Sequence, residues 1–279
     1  MSDIHILKAD GTKEIFNPLK LRTSLLRSGA TGDLADKVVA GITGELKDGS
    51  NTHDIYQKAF EKLRLMQRPL ATSYSLRRSL MELGPSGFPF EKFIAEIFKK
   101  QGYQVLTDQI VKGACVEHEI DIVAWKADRL IMVEAKFHNQ YGVKSDLKVA
   151  LYVKARYDDL KGIKFTFGDV TRELDEGWLI TNTKFTETAM NYAKCQSIPM
   201  VGWNYPERAS LLKMIDDSGL HPLTCLTSLN TSQKQELMTK GTVLCSTVRK
   251  DPSILKTLGL KENEISEVIE ESNYLCPIE

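Results

Sequence analysis

Apolar positions along the first eighty residues change their period once. Ile4, Ile6 and Leu7 form a short run, Asp10-Gly11 follows, and Ile15 and Phe16 form a second run. An Asp-Gly pair between two such runs predicts a β-hairpin. From there the spacing is helical. Leu19, Leu21, Leu25 and Leu26 mark one helix; Leu34, Val38, Val39 and Ile42 a second; Ile55, Ala59, Leu63 and Met66 a third, capped by Thr52 or Asp54; Tyr74, Leu76, Leu80 and Leu83 a fourth. Gly84-Pro85-Ser86-Gly87 is the clearest break in the chain, because glycines and a proline in so short a stretch end a helix and link units.

Past the break, Phe90, Phe93, Ile94, Ile97 and Phe98 recur with helical spacing up to Gly102. Strands are expected over Tyr103 to Asp108, Val116 to Trp125 and Leu130 to Lys136. A helix follows over about Lys144 to Leu160, then a strand at Trp178 to Thr181, a helix at Glu187 to Cys195 and a strand at Pro199 to Trp203. The order α-β-β-β-α-β-α-β predicts a mixed α/β layer fold. From about Leu220 short helices return, marked by Leu226 and Leu229, Leu237, Val243, Leu244 and Val248, Leu255, Leu258 and Leu260, and Ile265, Val268 and Ile269, with Gly241 and Gly259 at turns. The expected division is residues 1–84, 85–218 and 219–279.

Composition narrows the classes. The 279 residues are 42% hydrophobic and 27% charged, with 37 basic and 37 acidic side chains. Zero net charge removes any bulk pull on nucleic acid, so contact with DNA must come from local patches. One such patch is Lys234, Lys240, Arg249 and Lys250, ahead of an acidic end; two ordinary helix faces explain it equally well. The five cysteines are dispersed and form no CxxC pair, which argues against a zinc ribbon and for reduced thiols in a cytoplasmic protein. No secretory leader and no membrane span are expected.

The chemistry concentrates in two strands. In Ile120-Asp121-Ile122-Val123-Ala124, alternation puts Ile120, Ile122 and Ala124 on one face and Asp121 on the other. In Val133-Glu134-Ala135-Lys136, Glu134 and Lys136 share a face. Asp121 and Glu134 on neighbouring strands bring two carboxylates together, which disfavours joint ionisation. A divalent cation removes the conflict, and oxygen ligands favour Mg²⁺ or Mn²⁺. Lys136 would then stand beside the attacking water, and Glu91 on the preceding helix can face the same centre.

The succession Phe90-Glu91, Gly102-Tyr103, Glu119-Ile120-Asp121 and Glu134-Ala135-Lys136 resembles the PD-(D/E)XK nuclease superfamily in its Mrr-like restriction endonuclease branch, over roughly Phe88 to Trp203. The resemblance implies a mixed central sheet and Mg²⁺-dependent hydrolysis of DNA. It also implies catalytic roles for Asp121, Glu134, Lys136 and Glu91, with the metal held by Asp121, Glu134 and the main-chain carbonyl of Ala135. Other polar residues keep more than one reading each. His118 contacts phosphate, moves a proton or is a structural histidine. His138, Asn139 and Gln140 help place the site or form a solvated turn. Tyr152, Lys154, Arg156 and Tyr157 grip phosphate or simply pack.

Lys8-Ala9-Asp10-Gly11, Glu14, Lys20 and Thr52-His53-Asp54-Ile55 carry a second resemblance, to the ATP-cone, a regulatory nucleotide-binding domain built from a hairpin and a helical bundle. It implies ATP or dATP as a regulatory ligand, with Lys8, Lys20 and Arg78 at its phosphates, Glu14 and Thr52 at base or ribose, and a homo-oligomer formed through the cone. The C-terminal helices are similar to helix-hairpin-helix domains, which hold DNA phosphates through backbone amides; a helical cap or dimer surface is the alternative. Two functions therefore stand open: a nucleotide-regulated DNA endonuclease, and a nucleotide-sensing DNA-binding regulator with an inactive nuclease fold.

Overall fold

The computed structural model describes residues 4–7, 12–28, 30–140 and 142–275. The N-terminal segment holds β1 (His5–Leu7), β2 (Lys13–Ile15), α1 (Pro18–Arg27), α2 (Gly32–Glu45), β3 (Ser50–Asn51), α3 (Thr52–Met66) and α4 (Arg68–Met81). β1 pairs antiparallel with β2, His5 opposite Ile15. β3 adds a parallel strand on the other side of β1, which the sequence reading did not contain. The expected turn at Asp10-Gly11 lies outside the described residues. Ile6, Leu21, Leu25, Val38, Ile42, Ile55 and Leu63 are buried together beneath the hairpin. The cap of α3 differs from expectation. Asn51 accepts the Asp54 N–H at 2.7 Å, so Thr52 is already the first helical residue.

The larger part follows as α5 (Phe88–Lys100), β4 (Gln104–Lys112), β5 (Glu117–Lys126), β6 (Arg129–Lys136), β7 (Lys144–Ser145), α6 (Leu147–Leu160), β8 (Lys164–Phe167), β9 (Val170–Glu173), β10 (Glu176–Thr181), β11 (Lys184–Phe185), α7 (Glu187–Cys195), β12 (Met200–Val201) and α8 (Leu211–Ser218). Five strands form one mixed sheet in the order β12-β10-β6-β5-β4. β4, β5 and β6 are antiparallel neighbours, whereas β10 runs parallel to β6 and β12. α5 lies on one face of the sheet. Its Phe90, Phe93, Ile94, Ile97 and Phe98 are almost wholly buried against Ile122, Ala124, Ile131 and Val133, a contribution on the order of 10 kcal/mol at ~2 kcal/mol per side chain. α6 covers the opposite face through Leu160, which joins Val123, Trp125, Leu130 and Met132.

Three local expectations are corrected. α6 starts at Leu147, not Lys144, because the Asp146 carboxylate accepts the Lys148 and Val149 N–H groups and caps it, while Lys144–Ser145 pairs with β11. Ile120 packs with Val123 and Trp125, not with Ile122 and Ala124. The alternation fails because Asp121 and the residue across from it, Asp108, drop out of the β4–β5 ladder between Thr107↔Ile122 and Gln109↔Ile120, and Asp108 turns to φ 55°. Leu226 and Leu229 are not helical. A short 3-10 turn, Leu223–Cys225, precedes them.

The C-terminal helices are α9 (Thr231–Thr239), α10 (Cys245–Lys250), α11 (Ser253–Lys256) and α12 (Glu262–Leu275). Glu271 of α12 ties them to the preceding segment. It accepts the main-chain N–H and the hydroxyl of both Thr227 and Ser228 at 2.6 to 2.8 Å. Leu223, Leu237, Val248, Leu255 and Val268 share one buried cluster with α5 and with Leu76 and Leu80 of α4. Helix α4 thus contributes to two cores, its first half to the N-terminal one and its second half to this one. Among the described residues no helix is long and apolar enough to cross a membrane.

Candidate active site

Asp121 and Glu134 are brought together where β5 and β6 part. Ile122 pairs with Val133 as the last ladder step. In the next step Asp121 replaces a strand bond with its side chain, Oδ2 accepting the Ala135 N–H at 2.7 Å. A strand residue points its N–H and C=O toward the same neighbour, so the Ala135 carbonyl also faces Asp121. Burial first, then the negative charge of Glu134, raises the Asp121 carboxyl to about 6; the Ala135 N–H and Arg156 act in the other direction.

Glu91 joins the same centre from the first turn of α5. Burial and the charges of Asp121, Asp108, Glu134 and Glu119 raise it to about 7, against the field of the helix N-terminus, which favours the anion. Its carboxylate stands over Gly87, where a Cβ would come within 2.8 Å of Oε1. A side chain at position 87 would therefore push Glu91 aside. Lys136 lies one face-repeat beyond Glu134, exposed, with no ion pair to a described residue. Its charge lowers the neighbouring His138, in which burial is the larger cause.

Among the described residues no three His, Cys, Asp or Glu side chains converge as a ready-made ion cage. Two carboxylates and one main-chain carbonyl are available, a hard-oxygen set that fits an ion keeping part of its water shell.

Several side chains that the sequence left open now have positions. Arg156 of α6 donates to Glu134 Oε2 at 2.6 Å. His118 bonds Asp159 at 2.7 Å, and Asp159 also accepts the Cys115 and Val116 N–H groups. Held by His118 and then Cys115, the Asp159 carboxyl falls to about 2. His118 therefore fastens the β4–β5 turn to the end of α6. His138 bonds Ser145 at 2.9 Å. Asn182, which the sequence reading passed over, clamps the His138 main chain from both sides: Oδ1 accepts its N–H at 2.9 Å and Nδ2 donates to its carbonyl at 2.7 Å. Nδ2 also meets Met81 Sδ of α4 at 3.2 Å. The available signal was Thr181-Asn182-Thr183, polar residues closing the strand parallel to the one that carries Lys136.

In the N-terminal segment Lys20 Nζ pairs with Glu14 Oε2 at 3.2 Å, and Thr52 begins α3. Arg78 bonds Glu82 at 2.7 Å and lies within electrostatic reach of Lys234 in α9. Lys8 lies outside the described residues.

Comparison with known proteins adds the lineage. An uncharacterized protein of Archaeoglobus fulgidus is 36% identical over 180 residues, which cover 64% of this chain and 97% of that protein. The crystal structure of AF1548, a protein of unknown function, superposes with TM-score 0.56 at 33% identity, covering 68% of this chain and 98% of that one. The chain belongs to the AF1548-like family. Residues 221–276 match the model of the AF1548-like C-terminal region, and residues 84–212 match the restriction endonuclease model, which spans Glu91, Asp121, Glu134 and Lys136. The restriction endonuclease MspJI in complex with a 27-mer oligonucleotide aligns at TM-score 0.31 and 13% identity over 48% of this chain and 29% of that one, too slight a likeness to argue from. This AF1548-like protein thus carries a restriction endonuclease-like α/β core followed by a helical C-terminal region.

Proposed function

We propose that this AF1548-like protein is a metal-dependent DNA endonuclease of restriction or defence type whose activity is set by a nucleotide. The observation that carries the reading is the meeting of Asp121 and Glu134, mutually repelling carboxylates, with Lys136 exposed beyond Glu134 and in no ion pair with a described residue. Asp121, Glu134 and the Ala135 carbonyl are the groups that would hold Mg²⁺ or Mn²⁺. When bound, the cation supplies Lewis acidity to the scissile phosphate and offsets the charge of the two carboxylates. Lys136 orients the attacking water and offsets the negative charge that develops on phosphate. Glu91 fixes the water or completes the ion's ligands; burial first, and then the neighbouring carboxylates, raise it to about 7, as at a functional site.

The regulatory part of the reading rests on the β1–β2 hairpin over a four-helix bundle and on the Glu14–Lys20 pair beside it. Lys8, Glu14, Lys20, Thr52 and Arg78 would take ATP or dATP, and nucleotide would act by shifting a homo-oligomer in a cytoplasmic protein.

Nicking of supercoiled plasmid tests both parts. The expected result is cutting that requires Mg²⁺ or Mn²⁺, disappears in Asp121→Ala and changes in rate with ATP or dATP. DNA binding without nicking under every nucleotide condition would instead identify a regulator with an inactive nuclease fold. Equal cutting by wild type and Asp121→Ala would remove Asp121 from the chemistry.

A further inference from the structure

Arg156 occupies the carboxylate that the ion requires. Its Nη1 donates to Glu134 at 2.6 Å, with the two side chains only 12% and 17% exposed. Its Nη2 bonds the Tyr152 hydroxyl, and the guanidinium lies 4.5 Å from the centre of the Tyr152 ring. Its charge reaches Asp121 as well. The Nε is buried and bonds no described residue, although a guanidinium carries five donors in a fork suited to phosphate. Packing round the pair leaves slack, since a cavity of about 20 Å³ opens beside it, bounded by Ile120, Met132, Glu134, Val153, Arg156 and Tyr157.

We propose that Arg156 is the counter-ion of the metal-free centre and exchanges Glu134 for a substrate phosphate when a divalent cation binds. The proposal rests on reading Asp121 and Glu134 as the ion site. Two carboxylates withdrawn from water need positive charge, and Arg156 supplies it until the ion arrives. Once the ion is on Glu134, the guanidinium faces a like charge and loses its acceptor. The anion then nearest is the DNA phosphate, to which an arginine fork binds through two parallel hydrogen bonds. Arginine and ion therefore compete for Glu134 without DNA and act together with it. A merely structural ion pair has no reason to oppose the ion and favour the phosphate.

Two binding measurements on the full chain read this directly: calorimetric titration with Mn²⁺ in the absence of DNA, and anisotropy of a labelled duplex in Ca²⁺. Arg156→Gln is expected to tighten Mn²⁺ binding about tenfold and to weaken duplex binding about tenfold, each near the coupling of one close charge pair. Arg156→Lys keeps a charge but loses the fork, so it should leave Mn²⁺ binding near wild type and still weaken duplex binding. Unchanged or weaker Mn²⁺ binding in Arg156→Gln, or unchanged duplex binding, overturns the exchange. If Arg156→Gln does not fold, Arg156→Lys decides: wild-type duplex affinity overturns the proposal, and a loss confined to the duplex supports it. Wild-type protein that binds no Mn²⁺ overturns the ion site itself, an outcome separate from the failure of the exchange.

Discussion

The proposed nuclease centre and the N-terminal segment both assemble charged side chains, but on different terms. At the centre, burial first and neighbouring carboxylates second push Asp121 to about 6 and Glu91 to about 7. In the N-terminal segment, Glu14 and Lys20 form an ordinary pair in which the lysine is 67% exposed. A fold holds like charges together out of water only at a cost, so the first arrangement points to a ligand that offsets it. An exposed opposite-charge pair carries no such signature. The catalytic half of the proposed function therefore stands on electrostatics, and the regulatory half on a resemblance and a shape.

The largest expected effect separates the two regions outright. Lys136→Ala should slow plasmid nicking by about a hundredfold to a thousandfold, the range for losing one preorganised charge at the reacting group, with little change in the midpoint of thermal unfolding. A nicking rate within threefold of wild type would take Lys136 out of the mechanism.

Next in size is Asn182→Ala. The amide is buried and makes both polar contacts of the His138 main chain. Its loss strands a donor and an acceptor, so urea unfolding should register a loss of about 2–4 kcal/mol, with nicking reduced because the end of β6 is released. Stability within 0.5 kcal/mol, on the scale of ~1 kcal/mol for one ordinary hydrogen bond, would show that the clamp is not needed.

The residues at issue show how far the sequence could be read. Alternation assigned Glu134 and Lys136 to one face, and helical spacing marked out the helix that carries Glu91, because both follow from local geometry. Partners across the fold left no such trace. Arg156 looked like any basic residue on a helix, and its pairing with Glu134 depends on how α6 crosses the sheet. Asn182 lies 44 positions from His138. The irregularity at Asp108 and Asp121 broke the period-2 rule on which the facing of Ile120 had been predicted. The β8–β9 hairpin was legible but overlooked. Gly168-Asp169 sits between Phe167 and Val170, and Gly168 adopts φ 58°, as a two-residue turn requires.

A pH series sharpens the comparison further. Asp121 and Glu91 have raised folded-state values, so the metal-free protein holds protons that the unfolded chain has already released between about pH 4 and pH 7. Their contribution to stability is present below that window and is lost as pH rises through it. Other groups act in the opposite direction, Asp159 among them, with a value of about 2 whose contribution disappears only in strong acid. The informative quantity is thus the difference between wild type and Asp121→Asn. The Tm advantage of the variant should grow from pH 4.5 to pH 7.5 and shrink when Mn²⁺ is added to wild type. A difference that does not vary with pH would show the carboxylates to be relaxed.

The smallest change concerns the other region. Lys20→Ala should alter stability by no more than about 0.5 kcal/mol, since its pair is exposed. If the N-terminal segment holds a nucleotide, the same substitution should weaken binding of a fluorescent ATP analogue by about tenfold, the value of one charge-assisted phosphate contact. Equal binding by variant and wild type would remove Lys20 from the nucleotide site.

The central claim, that Asp121 and Glu134 share a divalent cation, is tested most directly by diffraction. A crystal soaked in Mn²⁺ and measured at the manganese absorption edge should show one anomalous peak between the two carboxylates, on the side of the Ala135 carbonyl. Protein that takes up manganese elsewhere, or leaves that position empty at saturating concentration, would contradict the account.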